Sequence, residues 1–97
     1  MNKYEIMYMI NPNISEEKRA ELITNMHEII TNNNGTIDKV TEWGLKDLAY
    51  EIKDLTKAYY VITEFSADVT ALNEFERLMR INHDIIRYNI INLKERL

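Results

Sequence analysis

Cysteine is absent from this 97-residue chain, and glycine and proline are scarce, at two and one residues. Without cysteine there is no disulfide and no thiolate metal site, which is typical of proteins from a reducing compartment. Few chain breakers, with 45% hydrophobic and 29% charged residues, indicate a compact globular protein. We therefore expect a single domain that spans residues 1–97.

Long apolar runs are also missing. A strand-like alternation begins at Lys3, and no segment reaches the length of a signal peptide or a membrane span. We therefore expect a cytoplasmic protein with no membrane partner.

Residues suited to catalysis are few. His27 and His83 are the only histidines, and neither has a second ligand or a nucleophile at a suitable spacing, so both are interpreted as surface or helix-cap residues. Ser15 and Ser66 stand outside any nucleophile motif, and the two glycines are too far apart for a phosphate-binding loop. The sequence predicts a protein that is not an enzyme and that uses no catalytic residue, metal, cofactor or small-molecule substrate.

The charge balance is acidic, with 12 basic and 16 acidic residues and a formal net charge of −4. Such a chain lacks the basic excess on which a generic nucleic-acid binder depends. Residues 1–66 hold 7 basic and 11 acidic residues, whereas residues 67–97 hold 5 of each. Four of the basic residues in the second part are arginines: Arg77, Arg80, Arg87 and Arg96. We expect an anionic partner to contact this part, unless the helix arginines are neutralised by neighbouring carboxylates such as Glu74.

Apolar periodicity predicts six elements in the order strand, helix, strand, strand, helix, strand. They are a strand at residues 3–10, a helix after the N-cap Ser15, an interrupted strand at 36–52, a strand at 58–65, a helix after the N-cap Asp68 and a strand at 85–93. A turn at 54–57 joins the second and third strands. The second helix has the predicted buried stripe Leu72, Phe75, Leu78 and Met79. This order is the split βαβ pattern of the α+β ferredoxin-like fold, βαββαβ, a four-stranded antiparallel sheet with two helices on one face.

One face of such a sheet stays uncovered. Strand alternation places Met7 and Met9 on that face if Tyr8 packs under the helices, and it places Tyr60 and Ile62 there as well. Four apolar residues on one face indicate a docking surface.

The segment at residues 43–52 reads WGLKDLAYEI. Its aromatic-glycine pair interrupts a strand-like pattern and predicts a bulge, with a surface that does not belong to the core.

Together with other short motifs, this segment resembles the bacterial small-subunit ribosomal protein S6 family. The resemblance covers essentially the whole chain. Its motifs are Lys3-Tyr4-Glu5, Asn11-Pro12-Asn13, Trp43-Gly44, Leu48-Ala49-Tyr50-Glu51-Ile52, Tyr59-Tyr60, Glu76-Arg77-Leu78 and Ile85-Ile86-Arg87-Tyr88.

The resemblance implies a structural constituent of the small ribosomal subunit. It implies that the chain pairs with ribosomal protein S18 and binds the central domain of 16S ribosomal RNA. The residues carried over as RNA-binding are Lys3, Lys46, Arg80 and Arg87, and those carried over as partner-binding are Trp43, Gly44, Leu45 and Leu48. The alternatives are a protein-protein interaction module of the same fold and a small-ligand regulatory domain.

Overall fold

The computed structural model describes residues 1–93 and has two helices and four strands there, in the predicted order. Arg96, one of the arginines counted above, lies outside the described residues. The elements are β1 (Asn2–Ile10), α1 (Glu16–Asn32), β2 (Thr36–Ile52), β3 (Leu55–Ala67), α2 (Val69–Ile81) and β4 (Ile85–Asn92). Neither of these helices is long and apolar enough to cross a membrane.

The four strands form one antiparallel sheet in the order β2-β3-β1-β4. β1 and β3 therefore occupy the centre, and β2 and β4 form the edges. Both helices pack on the same face, because the core joins side chains of α1 and α2 to alternate residues of the central strands. The predicted ferredoxin-like βαββαβ fold is confirmed.

The hydrophobic core lies between the sheet and the helices. β1 buries every second residue from Tyr4 to Ile10. The ring of Phe65 lies between those of Tyr4 and Phe75, with centroid distances of 5.6 and 5.4 Å. These aromatic contacts join a central strand to α2 and fix how the helix lies on the sheet.

The buried stripe of α2 differs in detail from the prediction. Phe75 and Met79 are buried as expected, and Ala71 is buried with them. Leu72 and Leu78 are only half-buried. The stripe follows a spacing of four residues, so side chains one position away lie at its margin.

Both predicted N-caps are confirmed. The hydroxyl oxygen of Ser15 accepts a hydrogen bond from the backbone N–H of Lys18 at 3.1 Å. A carboxylate oxygen of Asp68 accepts one from the backbone N–H of Ala71 at 2.9 Å. Each bond satisfies a first-turn donor that has no partner within the helix.

The connection from α1 to β2 uses two residues for different reasons. Asn34 adopts the left-handed conformation, with φ of 66°. Gly35 is needed for space, since a Cβ there would lie 2.6 Å from a side-chain carbon of Ile30. The chain can therefore leave the helix and enter β2 directly.

The long strand β2 is continuous but irregular. Its pairing with β3 shifts at three places, one of them between Glu42 and Gly44. Trp43 is the extra residue at that shift, and Gly44 has φ of 83°. The predicted bulge is confirmed, although it lies within one strand rather than between two separate segments.

The turn between β2 and β3 was predicted at the wrong residues. It is formed by Lys53 and Asp54, both with positive φ (50° and 64°), and Ile52 pairs with Leu55. Residues 55–57 therefore belong to β3, not to the turn predicted at 54–57. A two-residue hairpin turn needs positive φ at both central positions, and lysine is not among the residues that signal it.

Candidate nucleic-acid interface

A surface groove lies where the end of α2, the α2–β4 loop, the start of β4 and the tip of the β2–β3 hairpin meet. Its volume is about 660 Å³. The lining comprises the polar side chains Lys53, Arg80, Asn82, His83 and Arg87 together with Met79, Ile81, Ile85, Ile86 and Tyr88. We call this the basic groove.

Arg80 reaches the basic groove from the last turn of α2. The side chain of Met79 is buried in the core, and the neighbouring Arg80 is exposed. The last carbonyl groups of a helix carry partial negative charge, which favours a cation at this position. The helix thus holds an arginine at the rim of the groove.

Arg87 reaches the basic groove through an irregularity in β4. Met9 pairs with Arg87 and Ile10 pairs with Ile85, so Ile86 is an extra residue. Ile85 and Ile86 are both buried, whereas Arg87 is exposed beside Met9 on the uncovered face. A bulge of this kind changes which way the next side chain points.

None of the described residues that line the basic groove is acidic. The salt bridges found within residues 1–93 join Lys57 to Asp47 and Arg77 to Glu74, so they use none of the groove cations. Asp84 follows His83 directly but lines a separate cavity, together with Lys18, Glu21 and Asn25 of α1. The groove therefore concentrates positive charge on an acidic protein.

Arg77 is directed into an ion pair rather than into the groove. Its guanidinium donates to both carboxylate oxygens of Glu74, at 2.7 and 3.2 Å. These hydrogen bonds lower the pKa of Glu74 and raise that of Arg77. The sequence left open whether neighbouring carboxylates neutralise the helix arginines; Arg77 is paired with Glu74, and Arg80 alone of the two lines the basic groove.

Lys3 and Lys46 lie away from the basic groove. Lys3 is six residues along β1 from Met9, the residue that pairs with Arg87. At about 3.3 Å per residue, this separates them by about 20 Å. Lys46 belongs to β2, the edge strand on the far side of the sheet from β4. Of the four residues carried over as RNA-binding, the structure brings together only Arg80 and Arg87.

No sequence pattern indicates a role for Lys53, and His83 is predicted to be a surface or helix-cap residue. His83 is exposed in the α2–β4 loop, as predicted, but it also lines the groove. Lys53 arrives from a hairpin tip more than 25 residues earlier in the chain. No local pattern signals this approach, because it depends on how far the hairpin bends toward β4.

His27 is not the surface or cap residue that was expected. It lies within α1, is half-buried, and its Nε2 is 3.4 Å from the hydroxyl oxygen of the buried Thr63. Burial lowers the pKa of His27, and the nearby carboxylate of Glu42 acts in the opposite direction. The residue belongs to the packing between α1 and the sheet.

The uncovered sheet face carries the apolar residues that alternation predicted. Met7 pairs with Ile62, and Met9 pairs with Tyr60. All four side chains are half-buried, and the register makes them neighbours. We call the surface formed by Met7, Met9, Tyr60, Ile62 and Arg87 the open face.

The residues carried over as partner-binding lie on the β2 edge. Trp43 and Leu45 are 52% and 54% exposed, and Leu48 is half-buried. Gly44 pairs with Tyr60, so the β2 bulge adjoins the open face. Trp43 lies outside the core cluster of the described residues.

A comparison with protein families identifies the chain. The family described as ribosomal protein S6 matches residues 3–92. The chain belongs to the ribosomal protein S6 family. A solved relative, the crystal structure of 30S ribosomal protein S6 from Thermotoga maritima, is similar with a TM-score of 0.90 and 34% sequence identity. The match covers 98% of this chain and 92% of that chain.

Membership of the S6 family makes this a small-subunit ribosomal protein. The family consists of structural proteins of the ribosome rather than of enzymes, and it shares the ferredoxin-like fold described above. Within residues 1–93, no group of three or more potential ligands is arranged to hold a metal ion.

Proposed function

We propose that this protein binds the central domain of 16S ribosomal RNA together with ribosomal protein S18, and that it acts as a scaffold in small-subunit assembly and translation. In this role it works in the cytoplasm as part of the ribosome, performs no catalysis and needs no cofactor. Two surfaces support the proposal: the basic groove for the RNA, and the open face with the β2 edge for the partner protein.

The observation that carries the RNA part is the composition of the basic groove. A chain with a net charge of −4 places Lys53, Arg80 and Arg87 around one groove whose lining contains no acidic residue. Affinity for RNA comes mainly from neutralised phosphates, and the arginine fork matches phosphate oxygens in two parallel hydrogen bonds. The groove can therefore bind the RNA backbone while the acidic remainder of the protein is repelled.

The three cations of the basic groove neutralise few phosphates, so the groove by itself binds RNA weakly. Each phosphate contact steepens the dependence of log K for RNA binding on log salt concentration by only about 0.7 to 0.9. A basic partner protein that binds the same RNA supplies the remaining neutralisation, and complementary charge also speeds its association with an acidic chain. We assign this part to ribosomal protein S18.

The β2 edge and the open face fit the partner protein. Trp43 and Leu45 are large, apolar and more than half exposed, and aromatic residues are frequent among those that dominate interface energies. The bulge at Gly44 holds Trp43 outside the core. We propose that Trp43, Gly44, Leu45 and Leu48 contact ribosomal protein S18, and that part of the open face extends the contact.

Lys3 and Lys46 are proposed as separate contacts to RNA. Both are exposed, and neither takes part in the salt bridges of residues 1–93. Lys46 is followed by Asp47, which pairs with Lys57 at 3.7 Å. Both side chains of this pair are exposed, so Lys57 offsets only part of the Asp47 charge beside Lys46.

The test is a binding titration of a fluorescently labelled central-domain fragment of 16S ribosomal RNA with the purified chain, in the presence and absence of ribosomal protein S18. We expect weak binding of the chain alone and tight binding when both proteins are present. Equal affinity without the partner contradicts the joint mechanism. Binding of S18 without any effect on RNA favours the interaction module, and absence of both kinds of binding contradicts the proposal.

A further inference from the structure

Arg87 has a specific neighbour on the β2–β3 hairpin. One terminal nitrogen of its guanidinium donates a hydrogen bond to the hydroxyl oxygen of Tyr50 at 3.0 Å. The guanidinium carbon also lies 5.7 Å from the centroid of the Tyr50 ring, within the range of a cation–π contact. These residues are 37 positions apart in the sequence.

The contact requires the end of the hairpin to bend across the open face. Tyr50 belongs to β2 and Arg87 to β4, and these are the two edge strands of the sheet. Three strand spacings of about 4.8 Å separate the edges in a flat sheet, about 14 Å in total. Ala58 points to the open face, as Tyr60 does two residues later in β3, and yet it is completely buried. The open face is therefore covered near the β2–β3 turn.

The same bend brings Lys53 to the basic groove. Lys53 follows Tyr50 by three residues, at the tip of the hairpin, and lines the groove together with Arg80 and Arg87. The hairpin therefore contributes both a cation to the groove and a contact that restrains a second cation.

A restrained arginine is better suited to phosphate than a mobile one. A long side chain loses rotamer freedom when it binds, and a guanidinium that is already held loses less. The hydroxyl of Tyr50 accepts a single N–H bond, so the other guanidinium donors stay available for phosphate oxygens. The ring limits the movement of the guanidinium without adding a competing negative charge.

We propose that Tyr50 is a positioning residue for the RNA site, which holds the guanidinium of Arg87 at the basic groove in an orientation ready for a phosphate. The proposal rests on the proposed function, because it assigns Tyr50 a role only if Arg87 contacts RNA. Tyr50 itself is 61% exposed and lies outside the core cluster, so we expect its replacement to leave the fold intact.

The test compares Tyr50→Ala, Tyr50→Phe, Arg87→Ala and the double variant Tyr50→Ala/Arg87→Ala, with Thr56→Ala as a control at an exposed position of the same hairpin. The measurement is the affinity for the labelled central-domain RNA fragment in the presence of ribosomal protein S18. We expect Tyr50→Ala to weaken binding about three- to tenfold and Tyr50→Phe to weaken it less, because the ring contact remains. Thr56→Ala should have no effect.

The double variant separates positioning from an independent contact. If Tyr50 acts through Arg87, the double variant binds RNA no more weakly than Arg87→Ala alone. The proposal is overturned if the double variant loses affinity by the product of the two single losses. It is also overturned if Tyr50→Ala binds RNA with wild-type affinity. A second readout needs no RNA: the side-chain Nε–H signal of Arg87 in nuclear magnetic resonance should show increased mobility in Tyr50→Ala, and an unchanged signal also overturns it.

Failure of the proposed function has a different signature. In that case Arg80→Ala and Arg87→Ala both retain wild-type RNA affinity, whereas failure of the Tyr50 proposal alone leaves their losses in place.

Discussion

The two faces of the sheet are built from the same strands but differ in what covers them. On the face under the helices, Ile6, Tyr8 and Phe65 are completely buried. On the open face, Met7 and Tyr60 of the same two strands are half-buried, and Arg87 beside them is exposed. Strand alternation thus gives each strand one set of residues that stabilises the fold and one set that is available for binding.

Because the two faces differ in burial, a substitution on one face should change the free energy of unfolding and a substitution on the other should change binding affinity. Buried apolar side chains contribute to the free energy of unfolding, whereas exposed cations and an exposed tryptophan contribute little to it. Substitutions on the covered face should therefore change the free energy of unfolding, and substitutions on the open face should change binding affinity.

The largest effect is expected for Phe75→Ala on the covered side. Phe75 is 1% exposed and packs against Phe65, so its truncation leaves a cavity and should lower the free energy of unfolding by about 3–5 kcal/mol. Urea unfolding measures this loss, with Asn73→Ala at an exposed position of α2 as the control. RNA affinity per folded molecule should be unchanged, and a reduced affinity would break the separation of the faces.

Arg87→Ala tests the basic groove. Losing a charged hydrogen-bond donor to phosphate should weaken RNA binding in the presence of ribosomal protein S18 by about 1.5–3 kcal/mol. The salt slope should fall by about 0.7 to 0.9 if one phosphate contact is lost. Arg77→Ala is the matched control, because Arg77 is already paired with Glu74 and should leave affinity and slope unchanged. Equal losses for the two variants would indicate a general charge effect instead of a groove.

Trp43→Ala tests the β2 edge. Because Trp43 is 52% exposed and lies outside the core cluster, the free energy of unfolding should change by less than about 0.5 kcal/mol. Affinity for ribosomal protein S18 should fall by at least about 1 kcal/mol, measured by calorimetry. Val69→Ala, an exposed apolar residue at the start of α2, should change neither quantity. Comparable losses in stability and affinity would assign Trp43 to the packing of the sheet.

The smallest effect concerns His27 on the covered side. Burial lowers its pKa in the folded chain, so the unfolded chain, with a histidine pKa of about 6.5, binds a proton more readily. The stability contribution is therefore complete above about pH 6.5 and decreases as the pH falls through the folded pKa. Solvent screening at this half-buried site keeps the change small.

The measurement for His27 is urea unfolding between pH 7 and pH 5. His27→Gln should reduce the pH dependence of stability, whereas Asn25→Ala, an exposed and uncharged position of the same helix, should retain it. An identical pH dependence in His27→Gln and the wild-type chain would show that protonation of His27 does not oppose folding.

The order of elements and the faces of the strands could be predicted because both follow from local rules. Ser15 and Asp68 cap helices through hydrogen bonds to backbone groups three residues away, and Met7 and Met9 share a face because strand side chains alternate. The β2–β3 turn was predicted at the wrong residues, because Lys53 adopts a positive φ and lysine is not a residue type that indicates one.

The candidate site could be predicted only in part. Arg80 and Arg87 were expected to contact RNA from the family resemblance, and the structure places both on the basic groove. Lys53 and Tyr50 were not singled out, because their approach to β4 depends on how the β2–β3 hairpin bends across a sheet in which two strands separate β2 from β4. Lys3 and Lys46 are basic as well, but sheet topology separates them from the groove.

The sequence by itself determined the six elements, the two helix starts and the division of strand residues between two faces, since hydrogen bonds and side-chain periodicity act over a few neighbouring residues. Tertiary structure alone decided which cations line the basic groove. Arg77 and Arg80 are three residues apart on α2, yet one is neutralised by Glu74 and the other lines a groove with a lysine from a distant hairpin. The encounter of those cations depends on the pairing and bending of strands far apart in the chain, which no short pattern of residues encodes.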